Sequence, residues 1–193
     1  MDFTAVGNPN RSNKSEVLVG LVSDTHLLSG SELPAEIDSI LAGVDLILHA
    51  GDIYGTSVLD RLEHIAPVLA VRGDEDFFTQ SDSRIREEYF LDIGGSALWL
   101  VHELRSAFLR LLPLGLEAEI LEQVSHQCET VPDIIVFGDT HRHLVKSIGD
   151  ILIVNPGSPT LPDHMPGAGT VALLSIVAGK SRVRIVQLTS GAS

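Results

Sequence analysis

Short apolar runs of strand length alternate with polar breaks along this chain, and the runs fall into two differently built halves. Val17–Ser23, Leu46–Ala50 and Val68–Val71 are rich in Val and Leu, and each leads directly into Asp-x-His or Gly-Asp. Between them, Pro34–Ala42 and Thr56–Ile65 carry apolar residues at helical spacing. Pro34 suits a first helical turn, where a missing N–H leaves no bond unmade. Strand, helix, strand, helix, strand predicts a parallel α/β unit. From Tyr89 onward the runs shorten and alternate, at Tyr89–Ile93, Leu98–His102, Ile134–Phe137, Leu144–Ile148, Ile151–Val154, Thr170–Val177 and Arg182–Leu188. Gly94-Gly95 and Gly149-Asp150 read as hairpin turns, because glycine accepts the positive φ such turns need. Glu103–Thr130 is helical in pattern around Leu116, Ile120, Leu121 and Val124, and Pro113 and Gly115 break it near its start. Residues 1–15 are polar and aperiodic and read as a flexible lead-in. Residues 16–193 then form one domain of mixed α/β class, two sheets packed as a sandwich with helices outside.

Composition narrows the partners. A chain of 193 residues with 44% apolar content can bury one substantial core. Its 13 Lys and Arg stand against 26 Asp and Glu, a net charge of -13 that disfavours long nucleic acid. Cys128 is the single cysteine and cannot close an internal disulfide. Neither a signal sequence nor an apolar run of membrane-spanning length stands out, so a soluble, cytoplasmic protein with no membrane partner is the expectation.

The chemistry is concentrated where the runs end. Asp24, His26, Asp52, Asp74, His102, Asp139 and His141 each follow an apolar run closely. A parallel sheet delivers such residues to its carboxyl edge, and carboxylates and imidazoles gathered there are ligands for divalent metal. An isolated Asp-x-His is more often a turn or helix cap, so the weight rests on the ordered series. Asp52 is the natural bridge between two ions. His141 and His143 alternate to one face of an extended segment, which leaves His143 as an alternative ligand. His49 reads as a packed residue, and His64 and His126 as solvent-facing helix residues. His164 lies in a loop, Pro159–Gly169, that can approach the site as a lid. Arg105 and Arg142 are candidate positive groups near the site, and Trp99 is a core candidate.

The ordered motifs Asp24-Thr25-His26, Gly51-Asp52, Gly73-Asp74, His102 and Gly138-Asp139-Thr140-His141 resemble the signature of the calcineurin-like metallophosphoesterases, in particular the small bacterial and archaeal phosphodiesterases. Val71-Arg72-Gly73 and Asn155-Pro156-Gly157-Ser158 extend the resemblance. It implies a four-layer αββα sandwich and two divalent ions. Asp24, His26, Asp52 and His141 would hold one, and Asp52, Asp74, His102 and Asp139 the other. It further implies a metal-bound hydroxide acting on a small phosphodiester or nucleotide-like substrate, with Asp52, Asp74 and His102 at the reacting centre. Asp76 matches an acidic, loop-organising position.

Three positions depart from the family pattern, all at or beside the second ion. Asp74 stands for the usual Asn, Asp139 for the first His of G-H-T-H, and Leu104 for the second His of H-G-H. Four acids then carry a formal charge of about −4, which balances two divalent cations. Oxygen donors shift the expected metal toward Mn²⁺, with Mg²⁺, Ni²⁺, Zn²⁺ or iron as alternatives. The loss of an imidazole at Leu104 keeps a second reading open, a metal-binding protein-interaction scaffold on the same fold. The Leu-rich segment Leu109–Leu116 leaves room for a homo-oligomer.

Overall fold

Residues 4–5, 16–77, 81–104, 117–128 and 130–189 are described by a computed structural model. In chain order the elements are β1 (Thr4–Ala5), β2 (Glu16–Val22), α1 (Glu36–Ile40), β3 (Leu46–His49), α2 (Ser57–Glu63), β4 (Val68–Val71), β5 (Ile85–Arg86), β6 (Glu88–Ile93), β7 (Ser96–Val101), α3 (Glu117–Gln127), β8 (Ile134–Val136), β9 (Leu144–Ile148), β10 (Ile151–Asn155), β11 (Thr170–Val177) and β12 (Lys180–Gln187). Two six-stranded sheets form, in the orders β1-β6-β7-β8-β10-β9 and β12-β11-β2-β3-β4-β5. Both are mixed: β2, β3, β4 and β5 run parallel, as do β7, β8 and β10, whereas β11–β12, β6–β7 and β9–β10 are antiparallel.

The strands' period of two sorts their side chains into layers. In β2, Val19 and Leu21 face the second sheet, while Val22 faces the helices; in β3, Leu46 and Leu48 face the sheet and Ile47 the helices. In β8, Ile134 and Val136 enter the layer between the sheets, and Ile135 points to the far side with Trp99 and Ile120. The result is three apolar layers. One lies between the sheets, one joins the first-half strands to Ile37, Leu41, Val58, Leu59 and Leu62, and one joins β7, β8 and β10 to Ile120 and Val124 of α3. This is the αββα sandwich that the run pattern implies.

Two predicted helices are shorter than their apolar spacing. The first begins at Glu36 rather than Pro34, with no side-chain cap from Ala35, and the second ends at Glu63. The third is described only over Glu117–Gln127, so Arg105, Leu109–Leu116, Pro113 and Gly115 lie outside the described residues. Thr4–Ala5 and Ile85–Arg86 are strands of two residues, too brief to carry a periodic signal. Both glycine-containing hairpins form as predicted, Gly94 and Gly95 at φ +59° and +81° and Gly149 at φ +55°.

A third hairpin turn, Ala178-Gly179, joins β11 to β12 and closes on the pair Val177–Lys180. Ala178 takes φ +48° there, a left-handed conformation in which its Cβ crowds the backbone. Asn tolerates this geometry, and Asn-Gly is the favoured sequence for such a turn. Ala178→Asn is therefore expected to stabilise the fold by roughly 0.5–1 kcal/mol and raise the melting temperature by about 2 °C. Thermal unfolding of both proteins checks this, and a lower melting temperature would refute it.

Candidate metal centre

Every strand that leads into a candidate ligand runs parallel to its neighbour in the same sheet, so the ligands emerge together. β2 ends before Asp24, β3 before Asp52, β4 before Asp74, β7 before His102 and β8 before Asp139 and His141. The loops after β2 and β3 are then joined by backbone bonds. Asp24 N–H donates to Gly51 O (2.9 Å), His26 N–H to Asp52 O (3.0 Å) and Leu27 N–H to Ile53 O (3.3 Å).

Such closeness excludes side chains at key points. A Cβ at Gly73 would lie 2.0 Å from Asp52 Oδ1, and one at Gly138 would lie 2.1 Å from Ser23 Oγ. The glycine before each acidic motif is thus there to let the chain pass. The local backbone is also strained. Asp24, His26, Asp52, Tyr54, Asp139, His141, Asp163 and His164 all have positive φ, between 48° and 73°. Each such residue costs about 1–2 kcal/mol, which the surrounding bonds must offset.

Two groups of donors result. Atoms of Asp24, His26, Asp52 and His141 lie within 4.8 Å of one another, as do atoms of Asp52, Asp74 and His102. Opposed ligands on one divalent ion, with bonds near 2.1 Å, sit about 4.2 Å apart, so both groups are of ligating size. Asp52 belongs to both. Asp139 contributes its backbone N–H to Asp24 Oδ1 (3.0 Å) and lines the adjoining cavity, but its carboxylate is in neither group. Asp74 is the outermost of the candidate donors, with 75% of its side chain exposed.

The histidines are oriented from behind, as metal ligands are. His102 Nδ1–H donates to Ala50 O (2.7 Å) and His141 Nδ1–H to Leu161 O (2.8 Å), which turns each Nε2 lone pair toward the site. His26 Nδ1 lies 3.4 Å from Glu75 Oε2. Its Nε2 stands 3.0 Å from Nε2 of His141. With the outer nitrogens carrying the protons, two lone pairs face each other, an arrangement that a cation between them relieves. Asp24 supplies a second unmet demand. Its Oδ2 and the adjacent Ser23 Oγ are buried, and neither makes a hydrogen bond of ordinary geometry among the described residues. Burying an unsatisfied carboxylate oxygen is expensive. These residues fit divalent metal.

The site's electrostatics agree. Burial pushes the carboxyl groups of Asp24 and Asp52 from 3.8 up to about 6. Burial, reinforced by neighbouring His141, pulls His26 down to about 4. At His102 burial opposes the charge, but the Ala50 carbonyl and the carboxylates of Asp52 and Asp24 outweigh it and hold the ring above its usual value. Among the described residues no Lys or Arg lines the cavity of about 350 Å³ above the groups, which is formed by residues including Asp52, Tyr54, Glu75, Asp139 and His164. Arg142 is instead exposed and paired with Asp163.

Several secondary readings resolve. His141 is buried at the site and His143 is exposed. His49 is buried, accepts from Gly51 N–H (3.2 Å) and lies 3.2 Å from Thr25 Oγ1, while His64 and His126 are exposed. Asp76 organises its loop by accepting from Gly73, Ile53 and Tyr54 N–H. Trp99 is core. The loop holding His164 does reach the site: its ring lies 4.0 Å from that of His141. Leu104 is wholly buried in the layer with Phe137 and Ile120, so that position faces the core. Sequence reading missed Tyr54 and the role of Glu75, whose side chains are hydrogen-bonded to each other beside His26. The only available signal was Glu75 following Asp74 directly.

Fold and site together define a mixed α/β sandwich with a metal-ligating edge. The chain belongs to the calcineurin-like phosphoesterase superfamily, whose domain profile matches residues 17–179. It is 35% identical over 147 residues to a probable metallophosphoesterase of Methanocaldococcus jannaschii, covering 76% of this chain and 70% of that one. It is 23% identical over 171 residues to a phosphodiesterase of the same organism, covering 81% and 91%. Among solved structures it resembles vacuolar protein sorting 29 of Cryptosporidium parvum, with TM-score 0.64 and 24% identity over 90% of this chain and 98% of that one. No helix among the described residues is long and apolar enough to cross a membrane.

The raised carboxyl groups set a pH dependence. A folded-state pKa above the unfolded value stabilises the metal-free fold below about pH 4, and that contribution is lost as pH rises through about 6. Divalent metal needs these groups ionised and relieves their repulsion, while His26, pulled down to about 4, is largely neutral at pH 5 and above. The gain in melting temperature on adding Mn²⁺ should be small at pH 5 and larger at pH 7.5. Paired melts with Mn²⁺ and with chelator check this; an equal gain at both values would overturn it.

Proposed function

We propose that this protein is a metal-dependent phosphodiester hydrolase with a dinuclear centre. The observation that carries the reading is Asp52, shared by two ligating groups that otherwise differ. Asp24, His26, Asp52 and His141 would hold one divalent ion, and Asp52, Asp74 and His102 the other, with Asp139 beside the second. Bound there, the ions supply an activated water and neutralise charge on the phosphoryl group. Mn²⁺ is the favoured metal, because carboxylate oxygens dominate the second group.

The chain's residues define what surrounds that chemistry. Asp52 fixes the spacing of the two groups, and its own Oδ1 is positioned by Glu75 N–H (3.0 Å). Ala50 and Leu161 carbonyls hold the Nδ1 protons of His102 and His141, so neither ring turns away. Among the described residues no lysine or arginine lines this cavity, while Arg72 lines the adjoining one with Asp74 and His102, so bound metal would be the main source of positive charge over Asp52 for an anionic substrate. A diester presents one negative charge and matches a site whose acids already offset the cations, whereas a dianionic monoester asks for an excess of positive charge. The similarity to a phosphodiesterase accords with this. A small phosphodiester, in a cytoplasmic setting, is the substrate class.

One observation favours a second reading. Leu104 is packed in the core, so this segment supplies no imidazole to a leaving group. A metal-binding protein that acts through surface contacts would tolerate that, and the likeness to vacuolar protein sorting 29 extends over nearly the whole chain. Hydrolysis of bis(p-nitrophenyl) phosphate and of p-nitrophenyl phosphate, with added Mn²⁺, separates the two. Diester cleavage that exceeds monoester cleavage and falls at least about 100-fold in Asp52→Asn is the expected result. Stoichiometric Mn²⁺ binding with no turnover of either compound would replace the hydrolase by the scaffold.

A further inference from the structure

A second cavity, of about 380 Å³, opens beside the candidate metal centre and is lined by His26, Leu28, Glu32, Tyr54, Glu75 and Phe77. It shares His26, Tyr54 and Glu75 with the metal-site cavity. A ligand with its phosphoryl group at Asp52 therefore has an adjoining pocket for one of its arms.

The walls are unusual for free surface. Leu28 and Phe77 are 70% and 68% exposed, two of the few large apolar side chains that the described residues leave in solvent, and both line this one pocket. Their backbones are held. Leu28 O accepts from Ser57 Oγ (3.3 Å), and Phe77 N–H donates to Glu75 O (3.0 Å). Tyr54 forms a fixed wall, because its hydroxyl donates to Glu75 and its ring meets the His26 ring edge to face at 4.8 Å. Exposed apolar side chains on an anchored backbone, next to a polar site, are a recognition surface. Glu32 and Glu75 give the pocket a negative rim, which opposes any arm that carries further negative charge.

We infer that the Leu28–Tyr54–Phe77 pocket is a specificity subsite for a flat aromatic, uncharged ester arm of the phosphodiester. Phe77 and Tyr54 offer ring faces for stacking, Leu28 offers an aliphatic contact, and the volume suits an aromatic ring system. This rests on the phosphodiester reading for its substrate class, but the pocket can be tested without turnover.

The probes are diphenyl phosphate and diethyl phosphate, which share the anionic centre and differ in their arms. With the Mn²⁺-loaded full chain, calorimetry should show diphenyl phosphate binding at least about tenfold more tightly. Phe77→Ala and Leu28→Ala, both at exposed positions that leave the core intact, should each remove most of that preference and leave diethyl phosphate affinity within about twofold. Equal affinity in the parent, or a preference that survives both substitutions, would overturn the subsite. A preference for diphenyl phosphate that both variants abolish, in a protein that cleaves no diester, would keep the subsite and remove the hydrolase. Diester cleavage with no arm preference would keep the hydrolase and remove the subsite.

Discussion

The carboxylate of Asp24 is the constraint around which this molecule is arranged. It sits at the end of a central strand, fully buried between two sheets, where an ionised group without partners would cost several kcal/mol. The fold meets only part of that demand. Oδ1 takes the Asp139 N–H and lies 3.8 Å from His141, while Oδ2 makes no hydrogen bond of ordinary geometry among the described residues, the adjacent Ser23 hydroxyl relieving it only in part. The backbone is secured far more completely than the charge: Asp24 N–H bonds to Gly51, and Asp24 O accepts from Ser158 Oγ at 2.7 Å. A group held this firmly in position and left this poorly neutralised is prepared for a cation.

The strained backbone follows from the same demand. Three strands from two sheets must bring side chains to one point, and each loop does so with a left-handed residue, one intervening residue, and a second left-handed residue: Asp24 and His26, Asp52 and Tyr54, Asp139 and His141. The fixed alternation turns both outer side chains to the cavity side, although the Asp139 carboxylate stays outside both donor groups. Hydrogen bonds from the last loop secure it, with Asn155 donating to Gly138 O and Thr140 Oγ1, and Thr160 to Thr25 O. Asn155-Pro156-Gly157-Ser158 thus supports the site without contributing a ligand.

How far the sequence could be read follows from where information is local. The sandwich was legible from the spacing of the apolar runs, but not which layer each residue of β2 enters, because Val19, Leu21 and Val22 belong to a run that is apolar on both faces. The candidate donors were legible as an ordered series, since a parallel sheet leaves each one just after an apolar run, and all of them except the Asp139 carboxylate fall in the two groups. Tyr54, Glu75 and the approach of His164 to His141 were not. Each depends on contacts between loops distant in sequence, and a lone Tyr or Glu on a loop carries no periodic mark. Leu104 shows the opposite limit: the motif comparison marked a missing imidazole, whereas only the packing against Phe137 and Ile120 shows that the position points inward.

That inward turn bears on how the acids should be understood. The segment after β7 gives one residue, His102, to the site and the next apolar one to the core, so no second imidazole balances the carboxylates from that side. Asp74 is the most exposed donor and Asp139 approaches through its backbone, which makes the second group the looser and more acidic of the two. On the proposed reading, the buried first group would hold its ion more firmly than the more exposed second group. An exposed Asp74 and an adjoining open cavity leave room for a substrate oxygen beside the second group, where it would reach an ion held there. Affinity for the second ion and affinity for substrate would then rise together, as linked equilibria require.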